Sequence, residues 1–331
     1  MPSAAQVKAL LQSHTSGDDE RFYAVALQVA AAEARHGHET LAKDLRTLVD
    51  RAKSKRSLAH ATTNVLHIAQ PTGEAAELLD SQHPEISVRD LVLSDAIRER
   101  VQRVIQEQRQ INRLQAHGLR PRQRLLFTGP PGCGKTMTAS AIASELRLPL
   151  FVVRLDALIT RYLGESANKL RLIFDAVNQT RAVYLFDEFD SIGYSRESGN
   201  DVGEMRRVLN SFLVFIERMH SHSLVIAATN HGGRLDKALY RRFDDLIEFS
   251  LPGELQIRQM IDSRLQSIAA PKLMWPRIVK AAANLSFGEI GRACEDAMKQ
   301  SILKETGKVT TTSLIAALKE RRLFLPPLSE P

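Results

Sequence analysis

The order of apolar and polar positions divides the chain into four stretches. Over residues 1–56, apolar side chains recur at three- and four-residue spacing: Val7, Leu10 and Leu11; Phe22, Val25, Ala26 and Val29; Leu41, Leu45 and Leu48. That period places them on one face of amphipathic helices. Ser16-Gly17-Asp18-Asp19 and His36-Gly37-His38 interrupt it, so the pattern predicts a three-helix bundle. Residues 57–85 hold few clustered apolar positions and carry Pro71-Thr72-Gly73 and His83-Pro84. They read as a linker with one short helix over Glu74–Leu79. From 86 to 251, short apolar runs alternate with helical periods. The predicted strands are Arg124–Thr128, Leu150–Leu155, Ala182–Phe186, Leu224–Ala228 and Leu246–Phe249. Alternation of this kind predicts an α/β domain with a parallel sheet covered on both faces. After Pro252-Gly253 the period is helical to Leu323, with breaks at Ala270-Pro271, Ser286-Phe287-Gly288 and Gly307, so 252–331 is expected to be a small helical domain.

Composition narrows the setting. The 331 residues suffice for more than one domain. Two cysteines, Cys133 and Cys294, make no disulfide framework and have no metal-ligand spacing with histidines. No stretch has the apolar length of a membrane span, and the first residues lack a secretory pattern. A cytoplasmic protein without a membrane partner is the expectation. The formal net charge of +7 fits an acidic or nucleic-acid partner, or a solvated basic surface with arginines spent on a ligand.

The candidate chemistry lies at strand ends. Gly129-Pro130-Pro131-Gly132-Cys133-Gly134-Lys135-Thr136 follows the strand Leu125-Leu126-Phe127, and a helical period begins at Met137. Strand, glycine-rich loop and helix in that order form a phosphate-binding loop. Backbone N–H groups curl around phosphate, and the helix N-terminus adds its positive dipole end. Lys135 is placed to reach β- and γ-phosphates, and the Thr136 hydroxyl to ligate Mg2+. The strand Ala182–Phe186 ends in Asp187-Glu188. Strand C-termini are where open α/β sheets bind ligands. There Asp187 holds Mg2+ through its water shell and Glu188 polarises the attacking water, unless the pair is a surface acidic turn. A third strand ends in Thr229-Asn230, whose amide either contacts γ-phosphate and water or caps the strand.

With these strand ends in order, residues 86–323 resemble the AAA ATPases of the AAA+ superfamily. The likeness is greatest to the clade of severing, disassembly and proteasomal ATPases. Gly129–Thr136 matches its Walker A loop, Asp187-Glu188-Phe189-Asp190 its Walker B box, Asn230 its sensor 1, and 235–244 its second region of homology. The resemblance implies a P-loop AAA+ αβα domain followed by a small helical lid. It implies Mg2+-dependent ATP hydrolysis, a homo-oligomeric ring, usually a hexamer, and Arg241 and Arg242 as fingers against the neighbouring subunit's γ-phosphate. Arg161-Tyr162-Leu163-Gly164-Glu165 is similar to pore loop 1, whose aromatic residue grips polypeptide in the central channel. Residues 195–203 are similar to pore loop 2, and Arg206 and Arg207 to the family's paired arginines. Two departures stand out. Ser286-Phe287-Gly288-Glu289 replaces the usual Ser-Gly-Ala-Asp, which displaces Gly288, and Cys133 replaces a common threonine. The position of Cys133 contributes a backbone N–H to the loop, so nucleotide binding is expected to survive the change, and a thiol at a helix N-terminus gains only some reactivity. Arg292, on the same helix, faces either phosphate or solvent. Val92 or Leu93 either sandwiches the base or packs the core.

Three functions follow. One is a motor that unfolds or threads protein substrates, alone or with a separately encoded protease or adaptor partner. The second is a nucleic-acid motor or loader using Arg120-Pro121-Arg122-Gln123-Arg124, although no helix-turn-helix or zinc module is present. The third is an ATP-dependent scaffold, against which Glu188 argues. The chain has neither His-Glu-x-x-His nor Gly-x-Ser-x-Gly, so it carries no protease signature of its own.

Overall fold

The computed structural model describes residues 25, 26, 29, 30, 32 and 47, and then 73–158, 164–193, 201–234, 237–268 and 272–323. The chain separates into two compact units, Met1–Ile68 and Ala69–Pro331. In the first unit the described residues are helical, with Val29 and Ala30 buried. The predicted three-helix bundle otherwise lies outside the described residues.

The second unit is built on a six-stranded sheet in the order β1-β3-β4-β5-β2-β6. Its strands are β1 (Leu79–Gln82), β2 (Arg124–Thr128), β3 (Leu150–Val153), β4 (Val183–Phe186), β5 (Leu224–Thr229) and β6 (Asp245–Glu248). The pairs β3–β4, β4–β5, β5–β2 and β2–β6 are parallel, whereas β1 runs antiparallel to β3. The described helices of eight or more residues are α1 (Asp95–Arg109), α2 (Lys135–Leu146), α3 (Glu165–Gln179), α4 (Asp201–Glu217), α5 (Glu254–Leu265), α6 (Trp275–Ala282), α7 (Phe287–Leu303) and α8 (Thr311–Leu323).

Both sheet faces are covered, which explains why β4 is apolar at every position and β2 and β5 carry polar residues only at their ends. Along β4, Tyr184 and Phe186 point into one core with Phe174 of α3 and Phe212 of α4. Val183 and Leu185 point into the other, with Val101 of α1 and Ile142 of α2. Successive side chains alternate between the faces, as the strand period of two requires. A third core joins α5 to α8 through Ile261, Ile278, Ile290 and Leu318 and shares no residue with the sheet's two cores.

Within the stretch expected to be linker, the short helix expected over Glu74–Leu79 forms as Ala75–Leu78, and a strand that was not expected, β1, follows directly. Leu78 and Leu79 are buried in the same core as Phe174 and Phe186. The reason is local: a polar strand on a sheet edge needs only one or two inward apolar side chains, too few to register as a period. The five predicted strands all form, with ends shifted by no more than two residues.

Candidate functional site

Strands β2, β4 and β5 are adjacent and parallel, so their C-terminal ends open side by side. The glycine-rich loop follows β2 and runs into α2, whose first residue is Lys135. Two glycines are imposed by the surroundings. Gly129 has φ +136, and a Cβ there would lie 2.1 Å from the carbonyl oxygen of Phe249. Gly132 has φ +72, and its Cβ would meet Ser286 Oγ at 2.6 Å. L-residues rarely adopt that backbone region, and no side chain fits the space.

Lys135 is buried, and its ammonium is shared among three oxygens. Nζ donates to Gly129 O at 2.7 Å, Pro130 O at 2.9 Å and Asn230 Oδ1 at 2.8 Å. Burial lowers its pKa, while Cys133, Asp187 and Asp190 push the other way. Thr136 Oγ1 donates to Asp187 Oδ2 at 2.5 Å, which joins the start of α2 to the end of β4. A hydroxyl and a carboxylate side by side are hard oxygen donors of the kind Mg2+ takes. The fit of that pair to the ion is therefore good.

Glu188 is exposed and adopts a left-handed backbone, φ +48. Its N–H donates to Asp187 Oδ1 at 2.9 Å, and its carbonyl accepts from Ser191 N at 2.8 Å. Phe189 N donates to Ala228 O at 2.8 Å, so the chain turns sharply while still stitched to β5. A non-glycine residue held in this region costs about 1–3 kcal/mol and persists only where its surroundings over-determine it. The turn leaves the Glu188 carboxylate lining the same cleft as Lys135, Thr136 and Asn230.

That cleft, of about 860 Å3, runs from the three strand ends toward Ile86, Leu91, Val92 and Leu93 on one wall. The facing wall is Met260 and Arg264 of α5 with Gly288, Gly291, Arg292 and Glu295 of α7. Leu93 is buried and Val92 half-buried. The displaced Gly288 is accounted for: its N–H donates to Gly132 O at 3.0 Å, so its amide is spent on the loop. Ser286 caps α7 in a capping box with Glu289 and sits against Gly132. The N-terminus of α7 therefore rests directly on the phosphate loop. Arg292 is exposed and lines the cleft one turn further along.

Of the other expected loop residues, Pro130 is half-buried, Pro131 and Met137 are exposed, and Gly134 starts α2 with φ +94. Cys133 contributes no reactive thiol. It is buried, and desolvation raises its pKa despite the nearby Lys135. It is a protonated packing residue, because burial outweighs the helix terminus and the ammonium.

The two expected fingers are not equivalent. Arg241 is exposed, whereas Arg242 Nε pairs with Glu217 at 2.7 Å. Neither lines the cleft of its own chain. Tyr162 and Leu163 lie outside the described residues, as do 195–200. Gly164 is exposed with φ +84 and precedes α3. Arg207 is exposed. The basic cluster at 120–124 is largely consumed. Arg122 pairs with Glu107 and lies 3.7 Å from Asp245, and Arg124 reaches Asp244 at 2.6 Å. Among the described residues no helix is long and apolar enough to cross a membrane.

Asp190, the last residue of the acidic box, makes a contact that the sequence does not suggest. Its Oδ1 accepts the backbone N–H of Asn230 at 3.3 Å. Three residues after Asp187, with a phenylalanine buried between, it had no distinguishing mark in the sequence.

A phosphate loop, an acidic strand end and a polar third strand end on one parallel sheet define a P-loop nucleotide hydrolase. The sequence profile described as "ATPase family associated with various cellular activities (AAA)" matches residues 125–251. An uncharacterized AAA family ATPase, y4kL, of Sinorhizobium fredii is 36% identical over 315 residues, 95% of this chain and 94% of that protein. A putative 26S proteasome regulatory subunit homolog of Methanothermobacter thermautotrophicus is 30% identical across 62% of this chain, and the alignment spans 56% of that protein. ATP-dependent zinc metalloprotease FtsH 3 of Sphaerobacter thermophilus is 27% identical across 74% of this chain and 52% of its own length. The chain belongs to the AAA family of ATPases, and ATP hydrolysis is its reaction.

Proposed function

We propose that the chain is a ring-forming motor whose ATP cycle remodels or threads protein substrates. The observation that carries this reading is an asymmetry. The cleft gathers Lys135, Thr136, Asp187, Glu188 and Asn230, yet the exposed Arg241 stands outside it. A finger of that kind acts on the γ-phosphate of a neighbouring copy. Arg242 joins it once freed from Glu217. Six copies in a closed ring would complete every cleft.

Within a cleft, Lys135 exchanges its carbonyl partners for the β- and γ-phosphate oxygens, and the loop amides bind the rest of the chain of phosphates. Thr136 and Asp187 would hold Mg2+, which when bound would supply charge neutralisation at the transferring phosphoryl group. Glu188 takes the proton of the attacking water, and Asn230 orients that water. The base lies against Val92 and Leu93.

Protein as the object of the force is supported by the names of two relatives, a proteasome regulatory subunit homolog and an ATP-dependent metalloprotease. Tyr162, Leu163 and Gly164 are then the gripping loop. The spent arginines at 122 and 124 weaken the nucleic-acid alternative. Without a protease motif of its own, the chain would pass its substrate to a separate protease or release it remodelled. The N-terminal helical segment would recognise substrate or adaptor.

The test mixes two inactive proteins, Lys135→Ala and Arg241→Ala/Arg242→Ala. Where an intact loop meets an intact arginine pair across an interface, ATPase activity returns. If no mixing ratio restores activity, the shared-site ring is wrong. Glu188→Gln, which binds ATP and stalls, should retain client protein for identification.

A further inference from the structure

We infer that Asp190 is a positioning residue for hydrolysis, holding Asn230 in the geometry from which it meets Lys135. The argument starts from the sheet ladder. Strands β4 and β5 pair in parallel register as far as Phe186 and Ala227. Beyond that point the two chains part, because β4 turns through Glu188 into the short helix Asp190–Gly193. Two bonds replace the lost ladder. Phe189 N–H donates to Ala228 O at 2.8 Å, and Asn230 N–H donates to Asp190 Oδ1 at 3.3 Å.

The second bond is the informative one. Asn230 is half-buried, and its amide has lost the strand carbonyl that a continued ladder would provide. A backbone donor in that position needs a partner. The Asp190 carboxylate stands where the carbonyl would be. Asn230 is thus held at its backbone by Asp190, while its side-chain oxygen accepts from Lys135 Nζ at 2.8 Å. Asp190 touches neither the loop nor Thr136 through any hydrogen bond among the described residues. Apart from its charge, which acts on Lys135 without a hydrogen bond, its contact with the reacting groups runs through Asn230.

This rests on the reading of Asn230 as a participant in hydrolysis, and the experiment separates the two. Four full-length variants are compared for kcat, KM and affinity for a fluorescent ATP analogue: Asn230→Ala, Asp190→Ala, Asp190→Asn and the double alanine. Asp190→Ala should lower kcat about tenfold, the worth of one hydrogen bond to a charged group, with analogue affinity within about twofold of the parent. Asp190→Asn keeps an oxygen acceptor at the same place and should recover most of kcat. The double alanine should be no slower than Asn230→Ala alone, since residues acting as a unit are non-additive. An unchanged kcat in Asp190→Ala, with kcat reduced in Asn230→Ala, overturns the inference. So does additivity in the double variant. An unchanged kcat in Asn230→Ala overturns the underlying reading of Asn230 instead, and the inference falls with it. If Asp190→Ala does not fold, Asp190→Asn decides alone: a tenfold loss in a folded Asn variant means that charge, not backbone geometry, is what Asp190 supplies.

Discussion

The left-handed backbone at Glu188 makes a prediction whose sign is unusual. Compare Glu188→Ala with Glu188→Gly. Both remove the carboxylate, so both should cut hydrolysis by about 100- to 10,000-fold, the range for a lost general base, while binding ATP. They differ in one Cβ. In a helix or strand interior, glycine is less stable than alanine by roughly 0.5–1 kcal/mol, because the unfolded chain gains freedom. At φ +48, however, a Cβ crowds the following carbonyl at a cost of about 1–2 kcal/mol. Taking the middle of each range, glycine wins by roughly 0.5–1 kcal/mol. The bonds that fix the turn, Glu188 N–H to Asp187 and Ser191 N–H to the Glu188 carbonyl, are available to both variants. Thermal unfolding of the two proteins without nucleotide is the assay. The glycine variant should melt roughly 1–3 °C higher. An alanine variant equal to or more stable than the glycine variant would refute the claim that the turn imposes this conformation.

Three further outcomes are expected. Gly132→Ala forces a Cβ to 2.6 Å from Ser286 Oγ, whereas the Cβ of Gly134→Ala meets nothing within 4 Å and adds only the strain of positive φ that both share, so without nucleotide the first should melt lower than the second. Ser286→Ala removes the cap of α7 and should destabilise the helical domain by about 1 kcal/mol, measured by urea unfolding. Burial pushes Cys294 from 9.0 up to about 12, so the native state keeps its proton where the unfolded state has lost it. That thiol's contribution is intact below pH 9 and declines as pH rises toward 12, a slope that Cys294→Ala should flatten in pH-dependent melts.

The nucleotide loop and the three strand ends were legible because their signals are dense. A five-residue apolar run such as Leu224–Ala228 is bounded on both sides by polar residues, and the glycine spacing before Lys135 has few other uses. β1 was not legible, since Leu79-Asp80-Ser81-Gln82 has a single inward apolar position supported by Leu78. Nor could the sequence show that Gly288 closes on Gly132, because that contact joins residues 156 positions apart through the packing of α7. The burial of Cys133 was not legible for a related reason: its chain neighbours place it at a helix N-terminus, while the core it joins is assembled from residues distant in sequence. The left-handed backbone at Glu188 and the bond from Asn230 N–H to Asp190 are matters of backbone geometry, which residue identity alone does not specify.

The small antiparallel strand at the edge has a practical consequence. Every residue proposed to act on ATP lies after residue 86, so a shortened ATPase would naturally be cut there. Such a cut would remove β1 and strip Leu78 and Leu79 from the core. It would also bare the backbone donors and acceptors of β3, residues Leu150–Val153, along a flat apolar edge. An uncovered edge of that kind recruits other strands, so the trimmed protein should polymerise or precipitate where a version beginning at residue 69 stays dispersed. Leu79–Gln82, within what looked like a tether, is the sheet's selvedge.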